Sequence, residues 1–298
     1  MATQPDAPRG ASPDAIRHHY DVGNDFYRLW LDESLTYSCA LWNEGDSDRM
    51  LEAAQLRKYD YHVNAAQAVN AGRVLDVGCG WGALLRRLVE SHGVGQATGL
   101  TLSETQAAWL TAHPHPRIDV RQESWLDHTP AAPYDAIISI GAFEHFARAG
   151  WTESERLAAY RAFFTRCRSW LKPGGRMSLQ TITMGNVDPE RLLQRPNMQF
   201  ILTDIFPESM LPTLADIVAA SDGLFELISL RNDRLDYYRT CRVWYKRLSA
   251  CREEAVALVG EATVERYLRY LKVSTFGFGE GYIGLLRMTL QRWDEAVA

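Results

Sequence analysis

Apolar residues recur along this chain in two alternating rhythms. RMLEAAQLRKYDYHVNAAQAVN (49–70) spaces them three and four apart, which predicts a helix. RVLDVG (73–78) is a short apolar run that reads as a buried strand, and CGWG (79–82) as a turn. ALLRRLVESHG (83–93) returns to helical spacing and ends on a glycine suited to a C-cap. The alternation continues. QATGLTLS (96–103) reads as a strand and SETQAAWLTAH as a helix that opens on a cap. YDAIISIGAFEH (134–145) is a strand running into a loop, LAAYRAFFTRCRSWLKPGG (157–175) an amphipathic helix closed by Pro-Gly-Gly, and RMSLQTITM (176–184) the next strand.

Strands alternating with helices predict an α/β fold of the Rossmann-like kind, a mostly parallel sheet with helices on both faces. LFELISLRND (224–233) and YIGLLRMTLQRW (282–293) are the candidates for late strands. Ahead of the first strand, residues 14–31 have helical spacing broken at Gly23-Asn24, and SLTYSCALW (34–42) is irregular and aromatic. Residues 14–70 therefore read as a helical N-terminal cover. Residues 185–250, with FPESMLPT, interrupt the alternation and read as a cap on the substrate side. The polar, proline-containing residues 1–13 read as a mobile tail, and 14–298 as one domain.

Composition narrows the chemistry. With 46% hydrophobic residues the chain can pack a core. The net charge of -5, without a basic stripe, gives no support for nucleic-acid binding. Cys39, Cys79, Cys167, Cys241 and Cys251 show no CxxC or Cys/His metal spacing. That points to a reduced, cytoplasmic protein without disulfides or a metal. No stretch is long and apolar enough for a transmembrane helix, and the N-terminus carries no apolar signal segment.

VLDVGCGWG carries the main chemical signal. Glycines after a parallel strand let the backbone bend and approach a ligand closely, at the sheet end where such folds bind ligands. The spacing is GxGxG rather than the GxGxxG of a dinucleotide loop. Asp76, just before it, would repel a pyrophosphate but suits the ammonium of a methionine moiety. The loop therefore points to S-adenosylmethionine. Glu144 follows an apolar strand, where a carboxylate serves either as a helix cap or as a base; the sheet end favours the base. His145 beside it points elsewhere and reads as structural. Cys39 has nothing nearby to lower its pKa and reads as a buried small residue rather than a nucleophile. Of the aromatic cluster Tyr20, Phe26, Tyr27, Trp30, Tyr37 and Trp42, only Tyr20 and Tyr37 are expected to face the site. FGFGEGYIG (276–284) sets Phe276, Phe278 and Tyr282 on glycine-rich backbone, where they are candidates for the substrate wall.

Taken together, IRHHYDVGNDFYRLWLD, LTYSCALW, VLDVGCGWG, TGLTLSETQ, IISIGAFEHF, LKPGGRM, LQTITMG, DIFPESMLP and EGYIGLLRMTL resemble the cyclopropane fatty acid synthase and mycolic acid synthase family of methyltransferases. The motifs run in the family's order from Ile16 to about Arg292. The resemblance implies a class I methyltransferase. Tyr37 and Ser38 would lie against the methionine part of the cofactor, and Gly78 and Gly80 would cradle it. Thr101, Leu102 and Gln106 would hold ribose and adenine, with Trp125 and Ile140 beside them. An acid that often follows that tryptophan is here Leu126. The family's bicarbonate ligands map to the backbone amide of Cys39, to Glu144, to Gln180, to the amide of Ile182 and to Tyr237. A histidine of that set is replaced by Gln180, so bicarbonate is expected to bind weakly or not at all. Glu144, Tyr237, Tyr20 and Gln180 are then the candidate catalytic residues.

Without the histidine, and without the long N-terminal extension of the phospholipid-acting members, the acceptor is expected to be a lipophilic natural product methylated at carbon. Methylation or cyclopropanation of unsaturated acyl lipids, N-methylation of a small amine, and a non-methylating cofactor-binding descendant remain alternatives. A homo-oligomer is compatible with the sequence.

Overall fold

The computed structural model describes residues 10, 12, 22–188 and 194–294. The expectations placed on residues 1–9 and on Tyr20 lie outside them. Five strands, β1 (Arg73–Val77), β2 (Gln96–Thr101), β3 (Ile118–Gln122), β4 (Tyr134–Ile140) and β5 (Leu171–Met184), pair in parallel. β6 (Phe225–Asn232) and β7 (Ile283–Arg292) complete a seven-stranded sheet of order β3-β2-β1-β4-β5-β7-β6, with β7 antiparallel to both its neighbours. β1 and β4 are adjacent, and their chains leave in opposite directions along the sheet. The crevice between them is the switch point at which such sheets bind ligands.

β1 is buried along all but its first residue, as its apolar run requires. The helices around the parallel half are α2 (Leu51–Ala65), α3 (Ala83–Ser91), α4 (Glu104–Ala112) and α5 (Glu153–Trp170); a short α1 (Asn24–Arg28) precedes them. Ser103 caps α4, its side chain accepting from the Gln106 amide, and a capping box of Thr152 and Glu155 opens α5. α5 ends five residues before the expected 175. Pro173 disfavours helical backbone at the residue before it, so the chain turns extended at Leu171 and enters β5 early.

The segment expected to form one cap, 185–250, is divided by β6. Before it lie α6 (Pro196–Phe200), a π-helical turn (Ile201–Ile205) and α7 (Leu214–Ser221). After it, α8 (Arg234–Ala250), α9 (Arg252–Val259) and α10 (Glu261–Glu280) form a second insertion between β6 and β7. α8 and α10 pack with α1 and residues 30–42 around an aromatic core that includes Trp30, Trp244 and Tyr267. The glycine-rich 276–280 is helix, not loop. α10 runs through it because Phe278 is buried, and Gly277 and Gly279 admit Ile283 and Tyr238 within 3.2 and 3.1 Å of where a Cβ would stand. Gly281, at φ +77°, ends the helix.

Candidate active site

After β1 the chain folds back on β2, with the amides of Gly78 and Cys79 both donating to the Leu100 carbonyl (3.0 and 2.9 Å). Gly78 sits at φ +85°, and a Cβ there would lie 2.6 Å from that of Ala142. Gly80, at φ +53°, has only open space where a Cβ would stand. That space belongs to a cavity of ≈ 250 Å³ at the switch point. Tyr37, Ser38, Asp76, Gly78, Gly80, Thr101, Leu102, Gln106, Trp125 and Ile140, the ten residues assigned to the cofactor from sequence, all line it. Thr101 Oγ1 donates to Gln106 Oε1 (2.7 Å), joining the two on one wall. Trp125 packs against Phe146 (5.2 Å between centroids) on another.

Asp76 is buried, and its carboxyl has no hydrogen-bond partner among the described residues. Burial pushes its pKa up to about 7, opposed by the charge of Lys58. A buried carboxyl facing an open cavity without a donor suits a cationic ligand group.

Lys58 was not singled out from the sequence. Buried residues of α2 follow a stripe three and four apart, and that stripe includes Gln55, Lys58 and His62. Gln55 Nε2 donates to the Ser38 carbonyl (2.9 Å) and Lys58 Nζ to Ser38 Oγ (2.9 Å). These bonds hold the irregular segment of Tyr37 and Ser38 at the cavity. Burial brings the Lys58 pKa down to about 7, against the pull of Asp32. Polar residues on the buried face of a helix were the signal that could have revealed them.

A second cavity, ≈ 610 Å³, adjoins the first; Tyr37, Ser38, Gly141 and His145 line both. Glu144, Gln180, Ile182, Tyr237, Phe276, Phe278 and Tyr282 line the second. Glu144 lies in a 3₁₀ turn after β4. Its Oε1 accepts from the Ile182 amide (2.6 Å), whereas Oε2 is buried without a partner among the described residues. Burial raises its pKa from 4.5 to about 7, with the Ile182 bond opposing. Tyr237, on α8, stacks on Phe278 at 4.4 Å. Phe276 is half exposed, and Tyr282 accepts a hydrogen bond from Arg195 (2.9 Å).

Of the expected anion set, one member lies outside both cavities and the amide of another is bonded within the protein. Cys39 is fully buried and lines neither cavity, its Sγ lying 3.1 Å from the Ala40 carbonyl. Burial pushes its thiol up to about 12, so it is no nucleophile. The Ile182 amide is already engaged by Glu144. His145 Nδ1 lies 2.7 Å from Ser209 Oγ, and burial lowers its pKa to about 4, so it tethers the 205–213 segment as a neutral ring. Among the described residues no group of His, Cys, Asp and Glu could hold a metal ion, and no helix is long and apolar enough to cross a membrane.

With this geometry in place, three comparisons locate the chain among known proteins. The family model described as mycolic acid cyclopropane synthetase matches residues 9–288. Cyclopropane mycolic acid synthase 2 of Mycobacterium bovis is 35% identical over 294 residues, 93% of this chain and 94% of that protein. The structure of the cyclopropane synthase MmaA2 from Mycobacterium tuberculosis superposes with TM-score 0.84 at 32% identity, covering 95% of this chain and 99% of that one. That of mycolic acid cyclopropane synthase CmaA1, complexed with SAH and CTAB, gives TM-score 0.83 at 33% identity, with the same coverage of both chains. The seven-stranded sheet with its two helical insertions, the glycine loop before an apolar helix and the match over nearly the whole chain agree, and the chain belongs to the mycolic acid cyclopropane synthetase family.

Proposed function

We propose that the protein uses S-adenosylmethionine to methylate an alkene carbon of a long unsaturated acyl chain and closes the product to a cyclopropane. The observation that carries this reading is the meeting of the two cavities at Tyr37, Ser38 and Gly141, with Glu144 beside the junction. The smaller cavity has the open backbone of Gly80 and a carboxyl of Asp76 without a partner among the described residues, as a methionine moiety with its ammonium requires. The larger one has side chains such as Met198, Ile201, Phe206, Leu211 and Leu285 along its wall, suited to an extended apolar chain. The names of the relatives, and the SAH and CTAB held by one of them, support the same assignment.

Bound in the smaller cavity, the cofactor supplies an electrophilic methyl group on its sulfonium. An alkene held against that methyl would give its π pair to the new carbon–carbon bond, with the carbon–sulfur pair leaving on sulfur. The neighbouring carbon is left electron-deficient. The rings of Tyr237, Tyr270 and Phe206, which line the larger cavity, can stabilise that charge through their faces. Loss of a proton from the added methyl lets its bonding pair close the ring. Glu144 Oε2 is the acceptor for that proton, with a pKa near neutrality as a base working at neutral pH requires.

The acyl chain takes the place of the natural-product acceptor favoured from sequence. That expectation leaned on Gln180 standing where the family has histidine and on the absent N-terminal extension of the phospholipid-acting members, whereas the relatives matched over nearly the whole chain are named for mycolic acid cyclopropanation. The test is to incubate the purified protein with the cofactor and lipids bearing cis-unsaturated acyl chains. A gain of one methylene with loss of the alkene proton signals is expected. Methyl transfer to an amine, or to carbon with the alkene retained, overturns the assignment.

A further inference from the structure

Arg287 lies in the apolar run of β7, directly opposite Gln180 across the antiparallel β5–β7 ladder, and its side chain is wholly buried. Its guanidinium is fully engaged. Nε donates to Gln180 Oε1 (2.9 Å), one terminal nitrogen pairs with Asp233, and the other donates to the carbonyls of Cys39 (3.3 Å) and Ala40 (3.0 Å). Asp236 stands 3.9 Å away. His62, from α2, approaches the same glutamine oxygen with Nε2 (3.2 Å), while its Nδ1 lies 2.7 Å from Ser178 Oγ.

The donor and acceptor chemistry of these groups leaves one arrangement. Arginine carries only donors, so the glutamine atom facing Nε is the oxygen. His62 is buried, and burial together with the charges of Arg287 and Lys58 keeps it neutral. Its Nε2 carries the proton toward Gln180, and its Nδ1 accepts from the Ser178 hydroxyl. With the oxygen held by two donors, the NH₂ limb of the planar carboxamide is turned to the other side. Gln180 lines the larger cavity, and its Nε2 has no hydrogen-bond partner among the described residues.

We propose that Arg287 and His62 are positioning residues that lock the Gln180 carboxamide with its NH₂ toward the reaction cavity, so that Gln180 acts there only as a hydrogen-bond donor. An unrestrained glutamine could present either end and would accept or donate according to the ligand. The restrained one selects a lone-pair-bearing atom in the larger cavity, which Glu144 also lines, and excludes a donor. Because Arg287 also holds the Cys39 and Ala40 carbonyls, it fixes that amide relative to the segment of Tyr37 and Ser38 between the two cavities. The effect on turnover rests on the methyl-transfer reading above; the orientation itself does not.

Two variants isolate the lock. Arg287→Lys keeps a charge for Asp233 but cannot span the glutamine and both carbonyls. His62→Leu removes the second donor and leaves the Arg287–Asp233 pair in place, which keeps the test open should the lysine variant fail to fold. In nitrogen-labelled protein, the side-chain amide signals of Gln180 are identified by their loss in Gln180→Met. They are expected to be distinct and slow to exchange with solvent in the native protein, and to exchange at least about tenfold faster in either lock variant. In kcat/KM, each lock variant is expected to lose about tenfold. The same change made in the Gln180→Met background should cost less than about twofold, as coupled residues do in a double-mutant cycle. Unchanged amide exchange in a folded lock variant, or losses that multiply independently, would overturn the proposal. The amide measurement needs no turnover, so it decides the orientation even if methyl transfer to an acyl chain is not observed.

Discussion

Replacing Glu144 by glutamine should lower activity and raise stability at the same time. The side chains have the same shape, so the bond from the Ile182 amide to the remaining oxygen is kept. What changes is Oε2, which has no partner among the described residues and becomes an NH₂ unable to take a proton. Removing a general base typically costs ~10²–10⁴-fold in rate, or about 3–5 kcal/mol of transition-state stabilisation at ~1.4 kcal/mol per tenfold. The stability change has the opposite sign. The carboxyl pKa rises from 4.5 to about 7 on folding, chiefly through burial, so the folded state holds its proton where the unfolded chain has lost it. The native protein therefore loses stability as pH rises from about 4.5 to 7, by a total on the order of 3 kcal/mol from this group. Glu144→Gln has no such term. At pH 8 it should unfold at higher denaturant than the native protein, and near pH 4.5 the difference should vanish. The assay pairs methyl-transfer rates with urea unfolding at both pH values, alongside calorimetry to show that cofactor affinity is retained. Turnover near that of the native protein, or a variant less stable at pH 8, would refute the assignment of Glu144 as a base held buried at an energetic cost beside the larger cavity.

Gly80→Val should abolish S-adenosylmethionine binding in a folded protein, since its side chain would project into the open cavity and β-branched residues resist the left-handed backbone there; calorimetry with unchanged affinity would contradict it. Asp76, its pKa raised by burial to about 7, should release a proton as a cationic ammonium binds beside it at pH 6.5. Affinity should then rise from pH 6 to 8, and calorimetry in two buffers of different ionisation heat should detect the released proton; Asp76→Asn should remove both effects. Exhaustive removal of bicarbonate should leave turnover unchanged, because the Ile182 amide that would bind the ion already donates to Glu144; dependence of the rate on added bicarbonate would show otherwise.

The parallel half of the sheet and the cavity at the carboxyl ends of its strands were legible from the chain alone. An apolar run followed by GxGxG has few solutions: a buried strand, a turn through left-handed glycines, and a helix that packs back on the sheet. The residues assigned to the cofactor lie at or just beyond the carboxyl ends of β1 to β4, in the first turn of α4, or in the aromatic segment before β1, so topology brings them together. Other features depended on contacts between distant parts of the chain. The end of α5 at Trp170 follows from local proline geometry, but the continuation of α10 through its glycines required Ile283 and Tyr238 to pack against it. The division of the cap by β6 depended on β7 arriving from some fifty residues further on to pair with both β5 and β6. The polar residues Gln55, Lys58 and His62 looked like any helical surface until Ser38, Ser178 and Gln180 were placed against them. Gln180 was legible as a departure from its family, and Arg287 stood out in an apolar strand only in retrospect. A hydrogen bond between β5 and β7 has no local signature, because its strength comes from burial that the whole fold creates.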